Sequence, residues 1–390
     1  MYATNLKCTV CGAKHQTSDK ILVCTKCGKL LDVEFDLEEI RRSFSKESLK
    51  ERVRSLWRYR ELLPIDKDDC IVSLGEGVTS LRKIPRYGGL VGYDNLFVKV
   101  DYLNPTGSFK DRGTTVNVSK LKELGVTSVM DDSSGNAGLS LAAYCASAGM
   151  ECILFVPGSA PSEKLVQAQL YGAKIRTVPG SRSDAAKAAE DTWKDSSIFY
   201  ASHNLGPFFL EGMKTFACEL AEDLNWQVPD HIIFPVGGGS LLRGTWKGFD
   251  QLMKLGMINR VPSLHCVQSE ACMPIVTAFE KGKSETEPAA EGETIAGGIR
   301  ISNPARGAQV LDTLRRTGGK AVAVSDDAVM KHQRLLASKE GMFAEPTTCA
   351  ALAGLDKLRE MNAVEKGESV IVALTGFGLK DMKSAAAALA

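Results

Sequence analysis

The sequence predicts an α/β protein built on parallel sheets, and three observations carry that reading. Short apolar runs recur from Ile71 onward: Leu96–Val100, Ser128–Asp131, Cys152–Val156, Lys174–Val178, His231–Val236 and Val370–Leu374. Helical stretches lie between them, at Gly138–Ala148, Ser162–Tyr171, Ala185–Asp195 and Gly212–Leu224. Such alternation brings the chain back to the same end of a sheet each time, so strands run parallel with helices on both faces. The third observation is position: clusters of small residues follow the runs directly, where parallel sheets hold their ligands.

The elements follow in chain order. Residues 1–36 carry Cys8-x2-Cys11 and, 12 residues on, Cys24-x2-Cys27, each pair followed by glycine (Gly12, Gly28). Two such knuckles can present four thiolates tetrahedrally to zinc, and the glycines permit the tight turn that aims backbone N–H groups at sulfur. The alternative is a metal-free segment with free thiols. Four thiolates leave no open position, so a zinc here is structural. From about 37 to 75 the chain alternates Arg, Lys and Glu with Leu, Val and Trp, which predicts a helical connector ending at Leu63-Pro64. Gly282–Glu293 reads as an exposed loop.

Four segments could carry chemistry. Asn104-Pro105-Thr106-Gly107-Ser108-Phe109-Lys110-Asp111-Arg112-Gly113 places a lone lysine at a helix start. In a cleft such an amine has a lowered pKa and acts as a nucleophile; on a surface it would merely pair with Asp111. Ser133-Ser134-Gly135-Asn136-Ala137-Gly138 offers backbone N–H groups at a helix N-terminus, suited to a carboxylate or phosphate, or else forms a simple capped turn. Pro235-Val236-Gly237-Gly238-Gly239-Ser240 can wrap a phosphate. It lacks the Lys-Ser/Thr ending of a nucleotide loop and the spaced glycines of a dinucleotide site, so a phosphomonoester fits better. Leu374-Thr375-Gly376-Phe377-Gly378 puts a threonine hydroxyl at a strand end.

Together these segments, with Tyr59-Arg60-Glu61-Leu62-Leu63-Pro64, Leu74-Gly75-Glu76-Gly77 and Glu345-Pro346, resemble the fold-type II (tryptophan synthase beta-like) family of pyridoxal-phosphate enzymes, and within it the threonine synthases. The resemblance runs along nearly the whole chain. It implies a two-domain fold with parallel-type sheets plus the small zinc-ribbon-like segment. Residues 1–36 would form that segment. The connector and the start of the large cofactor domain would span 37–100, a small α/β domain 101–206, and the rest of the large domain 207–390. It implies that Lys110 forms a Schiff base with pyridoxal 5'-phosphate and that Asn136 bonds the ring oxygen. Gly237, Gly238, Gly239 and Ser240 would hold the phosphate, and Thr375 would meet the pyridine nitrogen. Ser133, Ser134 and Gly135 would receive the substrate carboxylate. The implied enzyme is a homodimeric lyase of amino-acid biosynthesis that turns O-phosphohomoserine and water into threonine and phosphate. Serine/threonine ammonia-lyase activity and β-replacement, as in cysteine or cysteate synthases, are the enzymatic alternatives. A zinc-ribbon interaction protein with an inactive body is the non-enzymatic one, and intact Lys110, Asn136 and Thr375 argue against it.

Two departures matter. Gly237-Gly238-Gly239-Ser240-Leu241 stands where threonine synthases often read Gly-Asn-Ala-Gly-Asn, and is more like the loop of serine/threonine dehydratases. Phe209 stands in Phe208-Phe209-Leu210-Glu211-Gly212-Met213-Lys214-Thr215 where an arginine for the substrate phosphate is expected. A phenyl ring cannot pair a dianion. Arg82, Arg112, Arg182 or His203 could compensate.

Composition bounds the partners. The 390 residues are 44% hydrophobic and 24% charged, ordinary globular usage for two or three domains. With 48 Lys+Arg against 47 Asp+Glu, the net charge of +1 gives no footprint for nucleic acid or anionic lipid. The longest nearly apolar stretch, Leu139–Met150, is too short to span a membrane, and the N-terminus has no secretory pattern. Beyond the first four, the seven remaining cysteines are scattered, so a reducing cytoplasm is expected.

Overall fold

The computed structural model describes residues 2–158 and 162–387. They pack as two compact units. The first comprises Met1–Val78, Asn104–Thr106 and Lys110–Thr215, and the second Thr79–Leu103, Gly107–Phe109 and Phe216–Ala390.

The first unit opens with a three-stranded antiparallel sheet of Ala3–Cys8, Lys14–His15 and Leu31–Phe35. Leu6, Leu31 and Val33 form its small core, which Phe208 completes. The connector is not one helix. Asp36 caps Leu37–Ser43, and a capping box between Ser45 and Ser48 restarts the chain as Lys46–Lys50. A 3-10 turn follows at Leu56–Leu62. Serines that bond their own backbone stop and restart helices regardless of the charge pattern around them.

Further along, four parallel strands run in the order Lys174–Val178, Glu151–Pro157, Ser128–Asp131 and Phe199–Tyr200. Both Phe199–Tyr200 and Glu151–Pro157 flank Ser128–Asp131, so the loops after these strands emerge at one edge. Helix Lys110–Glu123 packs closely on helix Pro207–Met213. Glycine makes that approach possible: a Cβ on Gly212 would strike the Arg112 carbonyl, and one on Gly113 would strike Phe209 and Met213. Glu76, 1% exposed, anchors the region. Its carboxylate accepts from Trp57 Nε1 (3.0 Å), Ser73 Oγ (3.0 Å), the Leu74 N–H (2.9 Å), Thr115 Oγ1 (2.8 Å) and Tyr144 OH (2.7 Å). Five donors on one carboxylate offset the cost of burying its charge.

The second unit holds a six-stranded sheet ordered Ala321–Val324, Ser263–Ser269, His231–Pro235, Val370–Ala373, Leu96–Lys99 and Leu81–Lys83. All pairs are parallel except the edge strand Leu81–Lys83. His231–Pro235, Val370–Ala373 and Leu96–Lys99 are neighbours in register (Ile233 with Val372, Val372 with Val98), so their C-terminal loops lie side by side. Helix Pro346–Glu360 buries Cys349, Ala350, Leu352 and Leu355 in this unit's core. No described helix is long and apolar enough to cross a membrane.

Candidate active site

Lys110 begins the 14-residue helix Lys110–Glu123. Its neighbour Asp111 is engaged within the loop. That carboxylate is fully buried and accepts from the Thr106 N–H (2.7 Å), Thr106 Oγ1 (2.6 Å) and Ser140 Oγ (2.6 Å), tying the lysine loop to helix Asn136–Ala148. Part of the Lys110 surface is open, yet protein encloses the amine. Burial foremost, and then the Arg182 charge, bring its pKa down to about 8, against the opposing pull of Asp131. A neutral amine is the nucleophilic form. Labelling of the cofactor-free protein by pyridoxal phosphate should therefore quicken as pH rises and level off above about 8. A rate rising as steeply past pH 10 would show an ordinary surface lysine.

Phe209 forms a wall of this site. It is buried, and the Lys110 Nζ lies 5.7 Å from its ring centre. The structure separates the four candidate cations. Arg112 is fully buried and donates to Thr215 Oγ1 at 3.1 Å. Arg82 is exposed on the edge strand of the other unit. Arg182 acts electrostatically on Lys110, Asp131 and His203. His203 is held neutral, so Arg182 is the fixed cation there.

Asp131 ends the strand Ser128–Asp131, and Asp132 follows it on the way into Ser133–Gly135. Sequence reasoning passed over them, because acids before a helix look like ordinary caps. Asp131 Oδ2 lies 2.9 Å from His203 Nδ1, and Tyr200 OH donates to Asp132 Oδ1 at 2.9 Å. Donor atoms of both acids and His203 lie within 4.8 Å of one another. Burial pushes Asp131 up to about 6 and raises Asp132 as well, the latter also through Asp131. With Lys110 and Arg182 nearby, a proton suits this cluster better than a metal ion. Helix Asn136–Ala148 starts at Gly135 with no side chain capping it. A Cβ on Gly138 would collide with the Ser133 carbonyl, so the turn needs glycine.

The second unit carries the other set. Gly237–Gly239 link strand His231–Pro235 to helix Ser240–Lys254. Gly239 has φ +87, and Cβ atoms on Gly237 or Gly239 would strike Ile301 or Val310. These glycines let the backbone wrap tightly at the start of an uncapped 15-residue helix. Thr375 is buried with its Oγ1 3.0 Å from Thr348 Oγ1, which also accepts from the Gly376 N–H at 2.8 Å. Thr348 had no sequence signal: it sits on a helix 27 residues before Thr375. The Phe109 N–H, one residue before Lys110, donates to the Thr375 carbonyl at 2.9 Å. Ser108 Oγ is fully buried and has no partner among the described residues. An orphaned hydroxyl beside the lysine loop, a glycine cradle and a strand-end threonine fit pyridoxal phosphate.

Residues 72–376 match the Pyridoxal-phosphate dependent enzyme family. The chain belongs to that family. The enzyme is 42% identical to the threonine synthase of Methanocaldococcus jannaschii, over 97% of this chain and 93% of that one. It is 38% identical to the threonine synthase of Methanosarcina acetivorans, over 97% and 92%. Its fold matches an L-serine ammonia-lyase from Rhizomucor miehei with a TM-score of 0.70 and 22% identity, covering 80% and 98% of the two chains.

At the N-terminus, Cys8 Sγ and Cys27 Sγ are 3.4 Å apart, Cys11 and Cys27 also 3.4 Å, and Cys11 and Cys24 3.7 Å. Four sulfurs about 2.3 Å from one zinc stand roughly 3.8 Å apart, so the set is nearly ready for metal. The Cys11 and Lys26 N–H groups face Cys8 and Cys24 sulfur at 3.4 Å, and Gly12 and Gly28 take φ of +71 and +69. His15 Nε2, 3.4 Å from Cys24 Sγ, is a further partner that the cysteine spacing did not reveal.

Proposed function

We propose that the enzyme converts O-phosphohomoserine and water into threonine and phosphate, as a pyridoxal-phosphate lyase. The observation that carries this is Lys110 in its setting: an enclosed amine of lowered pKa next to an uncapped helix start, in a chain that matches threonine synthases almost end to end. Lys110 would hold the cofactor through its amine and move the α-proton. Ser133, Ser134 and Gly135 would bind the substrate carboxylate, and Asn136 the ring oxygen. Gly237, Gly238, Gly239 and Ser240 would take the cofactor phosphate. Thr375 would face the pyridine nitrogen. Its neutral hydroxyl does not enforce a protonated ring, which suits elimination and replacement. When bound, the cofactor supplies the electron sink for carbanion chemistry at the amino acid.

One observation favours a second reading. Phe209 and two buried carboxylates line the surroundings of Lys110, where a dianion would want cations. An ammonia-lyase or β-replacement enzyme would find that lining congenial. Product analysis with O-phosphohomoserine, O-phosphoserine, serine and threonine in parallel separates them. Threonine and phosphate from the first, with the highest specificity constant, are expected; a higher constant for serine or threonine overturns the assignment. If phosphate is bound, Arg182 is its cation. Arg182→Gln should then raise KM for O-phosphohomoserine roughly 10–150-fold, the loss of about 1.5–3 kcal/mol for one charge-assisted contact.

The four N-terminal cysteines would hold one structural zinc: a segment with so few buried apolar side chains needs such a staple. We also propose a homodimer working in the cytoplasm. The scatter of the seven cysteines beyond the first four fits a reducing compartment, and light scattering tests the dimer.

A further inference from the structure

We propose that His15 donates a hydrogen bond to the Cys24 thiolate and so sets how tightly the four N-terminal cysteines hold zinc. The inference rests on the structural-zinc reading above and deepens it. Four thiolates bring more negative charge than one zinc ion offsets. Every N–H aimed at sulfur spreads that excess and fixes the ligand in place.

His15 Nε2 lies 3.4 Å from Cys24 Sγ. A thiolate only accepts, so in the loaded site Nε2 carries the hydrogen and donates it. The Lys26 N–H reaches the same sulfur at 3.4 Å, and the Cys11 N–H reaches Cys8 Sγ at 3.4 Å. Those two donors are peptide groups, fixed by the turn of each knuckle whatever side chains it bears. His15 differs in kind. Among the described residues, no other side chain outside the four cysteines donates to these sulfurs. Its placement follows from the fold. After the first knuckle the chain turns back through the Cys8 N–H, which donates to the Ala13 carbonyl at 2.8 Å. It then runs antiparallel to Ala3–Cys8 as Lys14–His15, with His15 opposite the fully buried Leu6. Successive strand residues face opposite ways. Lys14 pairs with Glu34 at 3.1 Å, while His15 is half-buried against Cys24.

The bond joins the two knuckles. His15 is carried on the strand that leaves the first, and Cys24 opens the second. The imidazole thus helps to hold Cys24 Sγ 3.7 Å from Cys11 Sγ before metal arrives, so less ordering is left for metal binding to supply. Cys24 is 1% exposed and shares the small apolar core with Cys8, Leu6 and Phe208. Away from water a hydrogen bond to that sulfur is strengthened.

The test measures the zinc affinity of the full-length enzyme, by competition with a chromophoric chelator, for the wild type, His15→Ala and His15→Gln. His15→Ala is expected to weaken binding about 10–100-fold. His15→Gln places an amide N–H at the reach of Nε2 and should recover most of the loss. Cobalt(II) in place of zinc gives a signature that lost packing alone does not move. Without the N–H the sulfur lone pair is less stabilised. The thiolate-to-cobalt charge-transfer band should therefore shift to longer wavelength in His15→Ala and stay in place in His15→Gln. Unchanged affinity in His15→Ala, or a band that does not move, overturns the proposal. Nitrogen NMR of the zinc-loaded wild type covers variants that fail to fold, with only five histidines to assign. A His15 ring protonated at Nε2 is expected, and one protonated at Nδ1 alone sinks the idea. A wild type that takes up neither zinc nor cobalt is a separate result: it overturns the structural-zinc reading beneath, and this inference with it.

Discussion

Lys110→Ala is expected to abolish turnover, a loss of more than about 10⁴-fold, because in the proposed role one side chain would supply both the cofactor attachment and a base. The fold should survive, since Lys110 is part-exposed and packs no core. Borohydride reduction of the loaded wild type followed by peptide mapping should place the label on Lys110. A label on any other lysine removes the basis of the site. Stability of the cofactor-free protein gives a second check. Lys110 titrates at about 8 when folded, below its usual 10.5. Between those values the unfolded chain binds the extra proton, so this group makes stability rise with pH there. Below 8 its full burial penalty is present. Lys110→Ala should flatten that rise.

Removing metal from the N-terminal cysteines should have the next largest effect, on stability before chemistry. Protein purified without chelator should hold about one zinc per chain. Zinc contributes about 10–16 kcal/mol to small isolated fingers, and here the ribbon also leans on the body through Phe208 and through Lys214, whose Nζ sits 3.8 Å from the Phe35 ring centre. Chelation, or Cys24→Ser, should therefore lower the melting midpoint by at least about 5 °C. Four freely titrating thiols with no metal and no change in melting on chelation would show a ribbon that stands without zinc.

Strands flanked on both faces by helices were readable because such strands carry unbroken apolar runs, as in His231–Pro235 and Val370–Ala373. Ser263–Ser269 was not, since His265, Gln268 and Ser269 interrupt it; all three are buried, and Gln268 spends its amide on Val236, Ile275 and Val276. The lysine and serine-glycine loops were legible because small residues at strand ends have few other uses. Asp131, Asp132 and Thr348 were not, because their roles arise from neighbours far along the chain. The missing arginine is legible at Phe209, but which remaining cation stands near Lys110 depends on the folded chain.

The family match begins at residue 72, yet a cut there would take partners from the reacting part. Glu76 would lose the indole N–H of Trp57, and Phe208 would lose the ribbon core that covers it. Its helix neighbour Phe209 is the wall under the Lys110 amine. A shortened gene encoding only the matched span would thus specify a body with a raw apolar patch behind Lys110. In this chain the ribbon thus doubles as a cover for the wall beneath the lysine.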